Sequence, residues 1–294
     1  MDVSTWPKSQ LVFSPRLGFN WDVKGDRSLQ IRGGSGIFTG MLPFVWFTNQ
    51  PTNSGMLQSP EIGYGLVSTD KVPPIDPKAP LERDPALIGL NFNPDYKEFV
   101  ASRPDLFPQT PGVLPANATL TQVSKDFKFP QIWRSNLAFD VELPWNMVFT
   151  GEAIYSKDIN AVQQININLA PYTGNLAGAD NRGYWASSTA SKVNSTVSAA
   201  TELVNSKKGY QYTLTAMLTK NFSKGFSGMF AYTYTMAKDI SANPGSSAYS
   251  AYSSNTSIGS LNDPELSYSN FSTPHRFIGS ASYRIEYLKH MSTT

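Results

Sequence analysis

Apolar and polar side chains alternate with a period of two along several stretches of this chain. Leu17, Phe19 and Trp21 share one parity against Arg16, Gly18 and Asn20. Leu29, Ile31, Ile37 and Met41 oppose Gln30, Arg32, Gly34 and Gly36. Trp133, Leu137, Phe139 and Val141 oppose Arg134, Asn136 and Asp140, and Met147, Phe149, Ala153 and Tyr155 oppose Thr150, Glu152 and Ser156. Further on, Tyr210, Tyr212, Leu214, Ala216 and Leu218 oppose Gln211, Thr213, Thr215 and Thr219. Phe226, Phe230, Tyr232, Tyr234 and Met236 oppose Ser227, Thr233 and Thr235. Last, Phe277, Ala281, Tyr283, Ile285 and Tyr287 oppose Arg276, Ser280, Ser282, Arg284 and Glu286. Successive residues of a strand point to opposite faces, so this pattern predicts strands with one apolar and one polar face.

Seven strands are expected, near 14–22, 29–41, 131–141, 147–157, 210–222, 226–238 and 274–287. Each is about 9 to 13 residues, the length of a tilted membrane-crossing strand rather than of a globular one. The polar parity carries Arg, Asp and Glu. Against a dry sandwich core those charges would be costly, whereas facing a wet lumen they cost little. Aromatics at strand ends, such as Trp133, Tyr155, Tyr210 and Tyr287, suit interfacial girdles.

The connections alternate short and long. Val23 to Arg27, Glu142 to Asn146 and Ser223 to Gly225 are short and hold Gly, Pro and Asn where tight turns need them. Residues 42–130, 158–209 and 239–273 are long. That asymmetry predicts an all-β fold: an antiparallel transmembrane β-barrel segment with short periplasmic turns and long extracellular loops. A short helix is expected at Asp95–Val100 within the first long connection, which also holds most of the prolines.

Composition narrows this picture. Charged residues are 16% and aromatics 13% of the 294 residues, with a mean hydropathy of −0.28. Little charge, many aromatics and unremarkable hydropathy fit a barrel whose strands are apolar on one face only. They also fit a secreted or surface β-sandwich that binds glycans or adhesion partners, which stands as the alternative. The net charge of +2, without a basic block, speaks against nucleic acid. Without cysteine there is neither a disulfide framework nor a thiolate metal site. The first residues have no basic n-region and no apolar core, so an exported protein would have to begin upstream of Met1.

Catalytic chemistry finds little support. His275 and His290 have no partners at metal-ligand spacing, and a structural place at the entrance of the last strand suits His275 better. Gly33, Gly34 and Gly36 lie inside an alternating strand with no helix after them, which fails the context of a phosphate loop. They suit curvature or close strand approach instead. Asp76, Glu82, Asp84, Asp95, Glu98, Asp105, Asp263 and Glu265 are loop carboxylates with no scaffold to fix a catalytic separation, and solvated charge is the expected role. No enzyme activity, cofactor or metal site is expected.

Ser14 to Asp22, followed by Leu29 to Phe38, resembles the mid-barrel signature of TonB-dependent outer-membrane receptors, in the Oar-like branch related to SusC-like transporters of Bacteroidetes. Phe127 to Arg134, Glu152 to Asn160 and Asn270 to Phe277 are similar to the same branch. The resemblance implies a barrel of about 22 strands plugged by an N-terminal domain. It further implies nutrient uptake (a glycan, peptide or chelate) driven by the TonB system, a lipid surround, and a surface lipoprotein as a further partner. Seven strands are an odd number and include no plug, so the chain is expected to be an internal fragment, roughly a third of a barrel, inactive alone. For Arg16, Arg32, Arg134, Asp140, Glu152, Arg276, Arg284 and Glu286 the plain expectation is contact with plug or lumen water, and the sharper one a role in plug docking or the substrate path. The loop aromatics Trp46, Tyr64, Trp185, Tyr249 and Tyr252 are of a kind that stacks on a ligand or packs loops together.

Overall fold

Three tight turns set the architecture. The computed structural model describes residue 2 and residues 6–53, 118–257 and 259–285. Tyr64, Glu286, the first-loop carboxylates and the expected helix at Asp95–Val100 lie outside the described residues. The chain runs through β1 (Arg16–Asp22), β2 (Leu29–Thr39), α1 (Val45–Thr52), β3 (Ala118–Val123), β4 (Gln131–Leu143) and β5 (Met147–Asn166). It continues through β6 (Gly174–Asn175), β7 (Gly183–Tyr184), β8 (Val197–Ser206), β9 (Tyr210–Ser223) and β10 (Phe226–Asp239). Helix α2 (Ala248–Ser253), β11 (Ser267–Tyr268) and β12 (His275–Tyr283) complete it.

Between β1 and β2, the Asp22 carboxylate accepts from the backbone N–H groups of Gly25 (2.9 Å) and Arg27 (3.0 Å), both of which have positive φ. Between β4 and β5, Trp145 and Asn146 take φ of 66° and 62°. Between β9 and β10, Lys224 and Gly225 take 50° and 82°, the primed turn whose twist matches a two-residue hairpin. The resulting sheet has the order β1-β2-β4-β5-β9-β10-β12, every neighbour antiparallel.

Register aligns the faces across all seven strands. Phe19 stands beside Gly33, Leu137 beside Ala153, Leu218 beside both Phe149 and Phe230, and Phe230 beside Gly279. This apolar face is bare: Leu17 is 79% exposed, Leu137 55%, Phe230 56% and Phe277 66%. On the opposite face Ala138, Thr150, Ser156 and Ala231 are buried. Burial is therefore inverted relative to a soluble sheet, and a continuous bare apolar surface of this extent requires a non-aqueous neighbour.

Aromatics rim that surface at both ends. Near the loop end, Trp133 meets Tyr155 at 5.9 Å between ring centroids, Tyr212 meets Tyr234 at 6.1 Å, and His275 lies 5.3 Å from Tyr234. The Tyr232 hydroxyl and His275 Nδ1 are 2.8 Å apart, so His275 is held within this aromatic belt. At the turn end stand Trp21, the Phe139–Phe149 pair, Phe222 and Tyr283, with Trp145 exposed in the turn itself. Trp133 to Val141 is eight residue steps of ~3.3 Å, which a tilt of roughly 40° turns into a band about 20 Å tall, close to the apolar band of an outer-membrane wall. Two glycines keep rings in this face: a methyl at Gly33 would stand 2.8 Å from the Phe19 ring, and one at Gly151 2.5 Å from Phe139. Close strand approach, rather than phosphate binding, accounts for Gly33.

Two expectations need correction. Some strand limits differ: β2 stops at Thr39, leaving Met41 outside it, and β12 stops at Tyr283, whereas β4, β5, β9 and β10 run past their expected ends. The long connections are also not plain loops. Beyond Lys157, where it leaves β9, β5 runs on and pairs with β8 over Ala161–Asn166. β8 pairs in parallel with β3. Trp46, Val123, Phe127, Val162, Leu203, Ala248 and Ala251 form a small core among these elements and the two helices. The buried sides of β3 and β8 include Thr121, Ala199 and Thr201, so hydrophobic alternation is too weak there to mark them as strands.

Candidate functional site: a charged wall and a loop-end cleft

The predicted polar residues fall into rows once the strands are in register. Arg32, Ala138 and Glu152 form one row across β2, β4 and β5. Ala138, with no side chain beyond Cβ, leaves room for the two long charged neighbours. Arg32 Nε donates to Asp140 Oδ2 at 2.9 Å, and Thr150 Oγ1 donates to Asp140 Oδ1 at 2.6 Å. Arg16, Gly36, Arg134 and Ser156 form a row further toward the loop end, beyond the row of Gly34 and Asn136. There Arg134 Nε donates to Ser156 Oγ at 3.0 Å, and the Arg16 guanidinium lies 4.4 Å over the Phe38 ring. Arg276 stands apart, opposite Thr233 on β10, and Arg284 follows β12, its backbone N–H donating to Gly225 O. The structure thus gathers Arg16, Arg32, Arg134, Asp140 and Glu152 on one half of the wall and leaves Arg276 and Arg284 on the other. The Arg32 side chain keeps 44% of its surface, so this ion pair is solvated and contributes little to stability.

Across the other half, the polar face is hydroxyl-bearing. Thr215 and Thr233 hydroxyls stand 3.2 Å apart, and those of Thr213 and Thr235 3.4 Å apart.

At the loop end, the second and third long connections enclose a cleft of about 810 Å³ lined by Tyr172, Trp185, Tyr252, Asn255, Asp263 and Glu265 among others. The β6–β7 hairpin brings Tyr172 and Trp185 together at 4.6 Å, and Trp185 Nε1 donates to Ala170 O at 2.9 Å. The Tyr172 ring lies against Gly183, where a side chain would displace it. Helix α2, closed at its start by reciprocal Ser247–Ser250 hydrogen bonds, carries Tyr252, which lines the same cleft. Burial, with lesser contributions from Tyr249 and Tyr172, pushes the Tyr252 hydroxyl up to about 12, so it stays protonated. Asn262 fastens the walls together: its Nδ2 donates to Asn166 O at 2.8 Å while its Oδ1 accepts from Asn166 N at 2.7 Å.

Trp185 and Tyr252 therefore share a cleft, and Tyr172 and Asn255 join them without having been singled out in the sequence. The mirrored Tyr-Thr-Gly and Gly-Tyr-Trp around the small hairpin were the available cue. Trp46 is 3% exposed and belongs to the outer core, so of the two roles expected of these aromatics it takes the packing one. Tyr249 is half-buried on α2 and does not line the cleft.

Residues 2–293 match the family described as the outer membrane beta barrel domain. The protein belongs to that family. As an outer membrane β-barrel domain, it turns its bare apolar face to lipid and its charged and hydroxyl-bearing face inward, which removes the surface β-sandwich alternative. The domain is similar to the outer membrane transporter YddB from Escherichia coli at 11% identity and a TM-score of 0.37, over 78% of this chain and 20% of that one. It thus spans about a fifth of that transporter's length. Among curated proteins none matches the sequence.

Proposed function

We propose that this domain is wall and loops of a TonB-dependent receptor of the Oar-like and SusC-like branch. In that reading it takes up a glycan, peptide or chelate through the outer membrane of a Bacteroidetes-like cell. The observation that carries the reading is the hydrated charge cluster of Arg32, Asp140 and Glu152 on the face turned away from lipid. Charges kept half-solvated inside a barrel suit a lumen filled by water and a docked domain rather than by apolar side chains. The resemblance of Ser14 to Asp22 and Leu29 to Phe38 supplies the branch.

The roles follow from position. Arg16, Arg32, Arg134, Asp140 and Glu152 hold the plug, and Thr213, Thr215, Thr233 and Thr235 flank the substrate path. The loop-end cleft, on the extracellular side, receives the ligand, and a surface lipoprotein closes over it. No residue is assigned to catalysis, and the domain works as a receptor rather than an enzyme.

The test is uptake in the native host. Labelled nutrient should enter at background rate when the receptor gene is deleted, and equally when TonB is deleted. Arg32→Cys should form cross-links to a plug domain of the full-length protein. Uptake at full rate without TonB would sink the proposal.

A further inference from the structure

We infer that the loop-end cleft is a binding site for a neutral oligosaccharide. The inference deepens the receptor reading and rests on it for one point, that the long connections face the medium.

Arg182 is held by both oxygens of Asp180, with Nε donating to Oδ1 and Nη2 to Oδ2, each at 2.7 Å. Asp263 receives the Lys208 ammonium at 2.7 Å, and that ammonium also donates to Pro264 O at 3.1 Å. Among the described residues lining the cleft, only Glu265 then carries a charge without an ion-pair partner. A cleft so neutralised offers little field to a ferric chelate anion or a polycation. An anion site would need uncommitted Arg or Lys, and a polycation site several open carboxylates.

Tyr172 and Trp185 present rings to the cleft, with Tyr172 41% exposed, and the buried Tyr252 backs it. Sugar rings offer flat C–H faces to aromatic planes and hydroxyls around their edges. Asn255, Thr256, Ser257 and Ser260 supply amide and hydroxyl partners, and the Glu265 carboxylate accepts from a sugar hydroxyl. The volume of about 810 Å³ lies within the range of small-molecule sites. The reciprocal Asn166–Asn262 hydrogen bonds hold the walls in place before the ligand arrives, which lowers the ordering cost of binding.

β9 and β10, from which the cleft-bearing connections rise, pair hydroxyls on the inward face, Thr213 with Thr235 and Thr215 with Thr233. A neutral polyol would meet compatible surface on leaving the cleft.

The experiment uses the full-length receptor purified in detergent, an array of neutral glycans, and hexalysine, oligogalacturonate and ferric citrate as charged probes. A neutral oligosaccharide should bind and quench tryptophan fluorescence, with an affinity unchanged between about 50 and about 500 mM salt. Tyr172→Ala should weaken binding roughly tenfold, and Glu265→Gln several-fold, since Glu265 is exposed and its exchange leaves the fold intact. Trp185→Phe, which keeps a ring, should bind nearly as tightly as wild type. The proposal falls if no neutral glycan binds, if a charged probe binds in preference, or if Tyr172→Ala and Glu265→Gln both bind as wild type. Glycan binding needs no energy, so it separates from the receptor reading. Binding with TonB-independent uptake would overturn that reading and leave this site standing, whereas TonB-dependent uptake of a ligand that ignores Tyr172 and Glu265 would do the reverse.

Discussion

The seven-strand wall and the module above it are made from one chain and share a strand, yet they are held together differently. Below Lys157, β5 lies between β4 and β9 with Phe149, Ala153 and Tyr155 turned to lipid. Above it, the same strand pairs with β8 and turns Val162 into a core of seven buried side chains. In the wall, hydrocarbon outside and water inside dictate the faces, and an unpaired backbone group on the lipid side is intolerable. In the module, water surrounds everything, and side-chain amides do much of the joining. Gln164 Nε2 donates to Asn243 Oδ1 at 3.0 Å, Asn168 Nδ2 donates to the carbonyls of Asn194 and Val197, and Asn262 clasps Asn166. Solvent specifies the wall, and particular polar pairs specify the module.

The largest expected effect tests the wall. Leu214→Arg places a cation midway along the lipid face beside Ala153 and Tyr234 and should cost about 2 to 4 kcal/mol, enough to deplete folded protein from outer membranes. Thr215→Arg, one residue on and facing inward, should assemble nearly as well as wild type. Heat-modifiable mobility in detergent gels reports both. Equal tolerance of the two variants would overturn the face assignment.

Next comes the joint between the regions. Gly209 has φ of 113°, and the Asp158 carboxylate occupies the space a side chain would need. It is the elbow at which β8 becomes β9. Gly209→Ala should impose backbone strain of ~1 to 3 kcal/mol together with a displaced Asp158. The module should loosen while the wall stays folded. Limited trypsinolysis at Lys207 and Lys208 should accelerate, with heat-modifiable mobility unchanged. Loss of both at once would show that the two regions fold as one unit.

That difference also governs what could be read in advance. All seven wall strands were visible because lipid demands an uninterrupted apolar parity, as Leu214, Ala216 and Leu218 illustrate. β3 and β8 were invisible because Thr121 and Thr201 sit fully buried where a hydrophobic pattern expects Val or Leu, and because they pair in parallel across a long stretch of chain. The site divides the same way. Parity placed Arg32, Asp140 and Glu152 on the inner face, but only register shows that Ala138 lets Arg32 and Glu152 share a row. Nothing local distinguishes Trp46, sunk among Val123 and Phe127, from Trp185, which lines the cleft.

A smaller effect probes the amide joints alone. Asn262→Ala removes the reciprocal pair with Asn166 and should cost about 1 to 2 kcal/mol of local stability. Hydrogen exchange at the Asn166 amide should speed up accordingly, while amides of β9 and β10 keep their protection. Unchanged exchange at Asn166 would mean that the core, not the amides, holds the loops.

The smallest effect concerns a charge that the module tolerates rather than uses. Asp158 stands just above the wall, and burial, with a lesser contribution from Asp239, raises its carboxyl above the usual 3.8. A group whose folded-state pKa is raised stabilises the fold fully below its unfolded pKa, and that contribution is lost as pH rises through the folded value. The module should therefore weaken slightly as pH rises above about 4, and only slightly because Lys157 and partial exposure soften the penalty. Asp158→Asn should flatten the trend and gain that margin at neutral pH. Fluorine-labelled Trp46, seated in the outer core, reports its melting separately from the wall. A wild-type module that instead firms up with rising pH would place the Asp158 charge among favourable partners and redraw the boundary between wall and module at that residue.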